Sequence, residues 1–259
     1  MSAAEELPEL IARSPRGNVC PECGGTGFVL IQREGRTSAA PCACRRDARA
    51  QVRIESAQIP ARYRNCSLDN FELHSEAHRL ARRRAEKVID DLQAGVAGRL
   101  GRGLVLSGSC GSGKTHLAVG VLRRLVEDYG KVGLFAEFTD LLRRIQESFD
   151  RRSQTPSFAV LQPALDAEVL LLDDLGTMRM TPWVQDTLGL IINERYSNQR
   201  ITLITTNLRR ESSNNEEVLS ERVGERVVSR LEEMCYFVGL DTSDYRKNAR
   251  RANIHIDLV

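Results

Sequence analysis

Gly108 and Gly113-Lys114-Thr115 stand at the spacing G-x-x-x-x-G-K-[ST], after a short apolar run and before residues with helical periodicity. A glycine-rich turn in that position aims several backbone N–H groups at one point. The helix that follows adds the positive end of its dipole, so a polyphosphate anion is the natural guest. In that arrangement Gly108, Ser109, Cys110, Gly111, Ser112 and Gly113 cradle the phosphates, with His116 just beyond them. Lys114 reaches the β- and γ-phosphates, and Thr115 offers its hydroxyl to Mg2+. The bland alternative is a Gly/Ser-rich loop with a chance lysine, and it leaves the flanking strand and helix patterns unexplained. ATP with Mg2+ is therefore the expected ligand.

A second set of residues fits the same chemistry. Val169-Leu-Leu-Leu-Asp173-Asp174 reads as a strand covered on both faces, with two carboxylates emerging at its C-terminal edge. Asp173 is expected to hold Mg2+ through water and Asp174 to polarise the attacking water, a task more often given to Glu. Ile201–Asn207 reads as another buried strand ending in a polar residue. Asn207 is either a γ-phosphate or water ligand or a plain turn residue. Arg226 and Arg230, four apart on one expected helix from Glu217 to about Met234, are either surface charges or guanidinium groups offered to a neighbouring subunit's nucleotide.

Near the N-terminus, Cys20-Pro-Glu-Cys23 and Cys42-Ala-Cys44 form two close pairs. With a hairpin between them they suit a four-thiolate zinc site, and a site with no open position is structural rather than catalytic. Glycines after Cys23 let backbone N–H groups hydrogen-bond the sulfurs. The chain has seven cysteines and no basic-then-apolar leader, which predicts reduced thiols in a cytoplasmic protein. No apolar run approaches the ~20 residues that span a bilayer, so no membrane partner is expected. With 37 basic and 35 acidic side chains the net charge is only +2, so any nucleic-acid surface must be local.

These groups need elements to hold them. Residues 1–18 read as a flexible leader, 19–58 as a zinc-binding domain, and 59–102 as a linker with a helical lead-in. Residues 103–245 read as the ATPase domain and 246–259 as a basic tail. A helix is predicted from about Arg46 to Ala57. A second, capped by Ser75, runs to about Gln93 with Leu80, Val88 and Leu92 inward. After the phosphate loop, helix, strand and helix patterns alternate: Val132–Phe138 as strand, Thr139 opening a helix, and Thr181-Pro182 starting another.

Taken together, Ile59-Pro-Ala-Arg-Tyr-Arg, Gly108–Thr115, Leu171-Leu-Asp-Asp-Leu-Gly176, Ile192-Asn-Glu-Arg-Tyr196, Ile204-Thr-Thr-Asn207 and Arg226-Val-Val-Ser-Arg-Leu231 resemble the DnaC/DnaI-type helicase loaders. These are a branch of the AAA+ ATPases that also includes IstB-type transposition helpers. The resemblance covers roughly residues 59–246. It implies a P-loop AAA+, RecA-like α/β core with a parallel sheet, Asn207 as sensor 1, Arg230 as arginine finger and Arg226 as an interface arginine. It also implies ATP hydrolysis to ADP and phosphate, which Asp174 in place of the usual Glu would make slow, self-association or a heteromeric ATP interface, and a replicative hexameric DNA helicase and single-stranded DNA as partners. The zinc module is similar to the helicase-contacting domain of DnaI-like loaders. After Leu240 too few residues remain for a three-helix lid, although Arg246 stands in a Tyr-Arg pair like that of the loaders. Clustered cations in Arg143, Arg144, Arg151 and Arg152 are the expected DNA contact. The competing readings are an IstB-like transposition helper, a small-molecule kinase, and an adaptor that binds nucleotide without hydrolysing it.

Overall fold

A computed structural model describes residues 19–33, 36–95, 103–149, 156–211 and 217–241. The expectations for the leader, the basic tail, Arg246, Arg151 and Arg152 lie outside the described residues. The chain divides into two compact units, Met1–Arg53 and Ile54–Val259.

The first unit is a hairpin and a helix. β1 (Phe28–Arg33) pairs antiparallel with β2 (Arg36–Pro41), with Phe28 opposite Pro41 and Leu30 opposite Ala39. Helix α1 (Ala43–Ser56) follows at once, starting earlier than its sequence pattern suggested and taking in Cys44. Among the described residues of 19–53 only Cys23 and Cys42 are buried, and α1 buries no side chain at all. Nothing there amounts to a hydrophobic core.

The second unit is built on a parallel sheet. Its strands are β3 (Gly103–Ser107), β4 (Gly133–Glu137), β5 (Val169–Leu175), β6 (Ile201–Thr206) and β7 (Cys235–Gly239), in the order β4-β5-β6-β3-β7. The central strands send alternate residues into two separate cores. Leu170 and Leu172 join Val105 and Ile204 on one face, and Val169 and Leu171 join Leu104 and Leu203 on the other. This two-sided burial is why β5 reads as an unbroken apolar run. One face is covered by α2 (Glu76–Gln93) and α3 (Lys114–Glu127). The other is covered by α4 (Phe138–Glu147), α5 (Ser157–Asp166), α6 (Pro182–Ser197), α7 (Leu219–Val223) and α8 (Glu225–Met234).

Several local expectations are met. The Ser75 hydroxyl accepts the N–H of His78 at 3.3 Å and Thr181 accepts that of Val184 at 3.4 Å, so both helices start at their capping residues. Others are corrected. The inward stripe of α2 is His78, Ala81, Ala85, Val88 and Ile89, and Leu80 is exposed. The two alanines let the helix approach the sheet unit closely, and Leu80 falls off that stripe. The expected helix from Glu217 is two helices, because Gly224, at φ 93° and ψ 141°, leaves helical conformation between α7 and α8. Helix α5 has no counterpart in the sequence reading.

One charge lies wholly inside. Arg195 of α6 has no exposed surface, and its guanidinium donates to the carbonyl oxygens of Ala164 (3.0 Å) and Ala167 (2.8 Å), to that of Ile201, and to the Thr202 hydroxyl. It ties the end of α5 and the start of β6 to α6. Burial pulls its pKa down to about 9.

Candidate nucleotide and metal sites

After β3 the chain turns in a way that a side chain would obstruct. Gly108 has φ 136°, and a methyl group there would stand 2.3 Å from the Leu240 carbonyl oxygen. Gly113, at φ 89°, is the N-cap of α3, and a methyl group there would stand 2.9 Å from the Phe71 ring. With the helix starting at Lys114, the unpaired N–H groups of its first turn face the same concavity, as anion binding requires. Ser109 and Cys110 are exposed on the loop, Gly111 is half-buried, and Ser112 and Lys114 are buried. The buried Ser112 hydroxyl has no hydrogen-bond partner among the described residues. A cleft of about 340 Å3 opens beside Gly108 and Ser109 and is walled in part by Asn207, Arg209, Glu217 and Asp241.

The catalytic candidates meet at this loop. The Lys114 ammonium donates to the carbonyls of Gly108 (2.9 Å) and Ser109 (2.7 Å) and to Asn207 Oδ1 (3.0 Å). Thr115 Oγ1 donates to Asp173 Oδ1 at 2.8 Å, and Thr205 Oγ1 donates to the same oxygen at 2.6 Å. Asn207 Nδ2 donates to Asp174 Oδ1 at 3.1 Å. Asp174 N–H donates to Thr205 Oγ1 at 2.9 Å. Lys114, Asn207, Asp174, Thr205, Asp173 and Thr115 thus form one unbroken run of bonds. Burial pushes the Asp173 carboxyl above its ordinary pKa, against the pull of the two hydroxyls that donate to it. A divalent cation beside it would favour the charged form.

The backbone explains the placement. Leu172 of β5 pairs with Ile204 and Leu175 pairs with Thr206, so β5 carries one residue more than β6 across this stretch. Such a bulge re-aims side chains. Asp174 stands at φ 58° within it. Sequence reasoning picked out Asp173, Asp174 and Asn207 but missed Thr205. The available signal was the number of hydroxyls, Thr202, Thr205 and Thr206, in a fully buried strand that ends at the site.

Other candidates sit elsewhere. The His116 ring turns to Ser67 O (3.2 Å) and Asn70 Oδ1 (2.8 Å), holding the segment that carries Phe71 against the loop. Arg226 is exposed on α8, and Arg230 is half-buried with its guanidinium 5.9 Å from the Tyr196 ring centre. Both are set apart from the phosphate loop on a different element. Exposed Arg143 is engaged by Asp140 and Glu147, each at 2.6 Å, whereas exposed Arg144 has no carboxylate partner among the described residues.

In the first unit the Sγ atoms of Cys20, Cys23, Cys42 and Cys44 all lie within 4.8 Å of one another. The Cys20–Cys42 and Cys23–Cys44 separations are 3.8 and 3.5 Å. A tetrahedron of thiolates about 2.3 Å from zinc has edges of about 3.8 Å, so the four sulfurs fit that ion. Gly27 N–H donates to Cys23 Sγ at 3.3 Å. Burial works against ionisation of Cys23, but that N–H and the neighbouring thiols draw its pKa down to about 6. Sharing with Cys23 pushes Cys44 upward. The spacing C-x-C closes the site because Cys42 N–H bonds Gly27 O (2.9 Å), bringing the end of β2 back beside the first pair.

The sequence profile of the family described as IstB-like ATP binding protein matches residues 41–253. The chain belongs to the IstB-like ATP-binding family. Within this family setting, the replicative helicase loader DnaC of Escherichia coli (strain K12) is 26% identical over 169 residues, which is 65% of this chain. That match spans 64% of the relative's own length, just under two thirds. The crystal structure of the DnaC helicase loader is 32% identical, covers 70% of this chain and 100% of the solved chain, and superposes with a TM-score of 0.60. The crystal structure of DnaI, 24% identical, covers 74% of this chain and 98% of its own with a TM-score of 0.58, which bears on the fold. This IstB-like protein therefore has an α/β core of the AAA+ type with a five-stranded parallel sheet. No helix among its described residues is long and apolar enough to cross a membrane.

Proposed function

We propose that this chain is an ATPase that loads a replicative hexameric DNA helicase onto single-stranded DNA in the cytoplasm, under the control of bound ATP. The observation that carries the reading is the run of bonds from Lys114 through Asn207, Asp174, Thr205 and Asp173 to Thr115. It joins a phosphate-binding lysine, a metal-directed hydroxyl and carboxylate, and a water-directed carboxylate in one hydrogen-bonded run, which is the working set of a phosphoryl-transfer site.

The substrate is ATP with Mg2+. The loop N–H groups and Lys114 bind the phosphates. Thr115 and Asp173 hold the metal side, and Asn207 keeps Lys114 and Asp174 in register. Asp174 orients the attacking water, and the products are ADP and phosphate. A second subunit supplies Arg230, with Arg226 at the same interface, so turnover depends on assembly. ATP and ADP must differ in how tightly they let the protein hold its partners, because a nucleotide without that difference shifts nothing.

For DNA, Arg143, Arg144, Arg151 and Arg152 are the proposed cations. In the chain Arg143 and Arg144 closely precede Phe149, and Phe149 and Phe158 are exposed rings at 59% and 64%, with Phe149 edge-on to Trp183 at 6.2 Å. Cations beside rings that bases can stack on suit a single strand. The zinc-bearing first unit is the proposed helicase contact.

Co-purification with a replicative helicase, with and without ATP and single-stranded DNA, tests the reading. Capture of a hexameric helicase that responds to nucleotide is the expected result. The second reading, an IstB-like transposition helper, is favoured by the description of the matching family. Capture of a transposase without helicase would select it.

A further inference from the structure

Thr205 lies in the middle of the catalytic cluster with no part assigned to it so far. It is 2% exposed, on a strand whose every residue is buried. A β-branched side chain there has restricted χ1 freedom, which limits where its hydroxyl can point. A hydroxyl has one proton to give and lone pairs to accept with. Thr205 spends the proton on Asp173 Oδ1 at 2.6 Å and accepts the N–H of Asp174 at 2.9 Å. One oxygen therefore fixes the side chain of the first aspartate and the backbone of the second.

Asp174 needs such a clamp. Its φ of 58° is a left-handed conformation that a residue with a Cβ adopts at a cost, and it stands in the bulge where β5 loses register with β6. Without an acceptor its N–H would be stranded beside a buried strand. Asp173 needs it too, because the bond aims the carboxylate whose same oxygen takes the Thr115 hydroxyl at 2.8 Å.

We propose that Thr205 is a positioning residue for ATP hydrolysis, setting the direction of the metal-side carboxylate and the exposure of the water-side carboxylate through a single hydroxyl. This rests on the ATPase reading above. Thr205 touches neither substrate nor metal in this scheme. Its removal should therefore act on metal use and turnover and spare nucleotide recognition by the loop.

The test compares wild type, Thr205→Val and Thr205→Ser, each checked for folding by thermal unfolding. Three quantities are read: kcat for ATP, the Mg2+ concentration for half-maximal turnover, and ATP affinity in EDTA. Thr205→Val is expected to lower kcat ~10- to 100-fold and to raise the Mg2+ requirement, as loss of a residue that orients a metal ligand does. Affinity in EDTA should stay within about twofold, since the loop is untouched. Thr205→Ser should recover most of the loss. Wild-type kcat and Mg2+ dependence in Thr205→Val overturn the proposal. So does an equal loss in Thr205→Ser, which would trace the effect to the methyl group and packing. If Thr205→Val does not fold, Thr205→Ala against Thr205→Ser isolates the same oxygen, and equal turnover in that pair overturns the proposal. A wild-type protein with no Mg2+-dependent ATP turnover overturns the ATPase reading with it, whereas an active wild type beside an unchanged variant overturns this inference alone.

Discussion

Asn207 Oδ1 accepts from the Lys114 ammonium at 3.0 Å while Nδ2 of the same amide donates to Asp174 at 3.1 Å. Lys114 opens α3 after the loop that follows β3, Asp174 lies within β5, and β6 runs between β3 and β5 in the sheet. A residue at the C-terminal end of the intervening strand is placed to span them. An amide suits the place because it presents an acceptor at one end and a donor at the other. Asn207→Ala leaves Lys114 and Asp174 each short of a partner. It is expected to lower kcat for ATP by about 10-fold or more, the scale for losing one oriented polar group. ATP affinity should change little. Steady-state turnover and nucleotide titration check the split, and an unchanged kcat would show that Asn207 is only a turn residue.

Arg195 makes a different prediction, for stability. Its fork reaches three carbonyls and one hydroxyl at the end of α5 and the start of β6. Arg195→Met strands several buried acceptors at ~1–3 kcal/mol each. A loss of about 3 kcal/mol or more in urea unfolding is expected. Arg195→Lys should rescue little, since one ammonium cannot replace a planar fork. Recovery of full stability in the lysine variant would contradict this account.

Much of this site is legible in the linear chain because its chemistry is local. Gly108–Thr115 must be contiguous to wrap a phosphate, and Asp173-Asp174 announce themselves after an unbroken apolar strand. Thr205 was missed because its partners, Asp173 and Asp174, are brought to it by strand order and a bulge, neither of which leaves a local pattern. The same holds for fold details. Gly224 sits inside a run with helical periodicity, and the break shows only in its backbone angles. Leu80 looks like a core residue until the two alanines of α2 take the contact face. Helix α5 carries Pro163 within it, a residue that argues against helix when read alone.

The exposed rings and Arg144 yield a third prediction. Phe149→Ala removes a stacking platform, which costs ~1–3 kcal/mol per base in single-strand binding. Single-stranded DNA affinity should fall by roughly 5-fold or more on that scale, with ATP affinity unchanged. Arg144→Glu should weaken binding and flatten its salt dependence. Fluorescence anisotropy at two salt concentrations reads both. If both variants bind single strands as wild type does, the DNA surface lies elsewhere.

The cysteine cluster predicts a folding unit held by metal. Residues 19–53 bury only Cys23 and Cys42 among those described, so apolar packing offers them almost no stability. Binding energy from zinc must then serve as folding energy. One zinc per chain is expected by elemental analysis. Chelation, or Cys42→Ser, should unfold the hairpin of β1 and β2 while ATP binding persists in the second unit. Amide NMR shows which resonances collapse, and a hairpin that stays dispersed without metal would count against the assignment.

The last prediction concerns pH. His78 is 6% exposed with its Nδ1 2.7 Å from the Ser75 hydroxyl, and burial lowers its pKa, against a hydrogen bond to the Ser112 backbone. Burial likewise lowers that of His116, against its bond to the Ser67 backbone. The folded protein therefore resists protonation of both rings, whereas the unfolded chain takes up their protons near the ordinary value of ~6.5. Where the unfolded state binds more protons, stability rises with pH. The contribution of these rings is fully present above about pH 6.5 and is lost as pH falls through that value toward their lower folded-state pKa values. The Tm should fall as the buffer is taken from about 7.5 to 5.5, and His78→Asn should flatten part of that slope. Parallel slopes for wild type and variant would mean that this ring does not carry the effect.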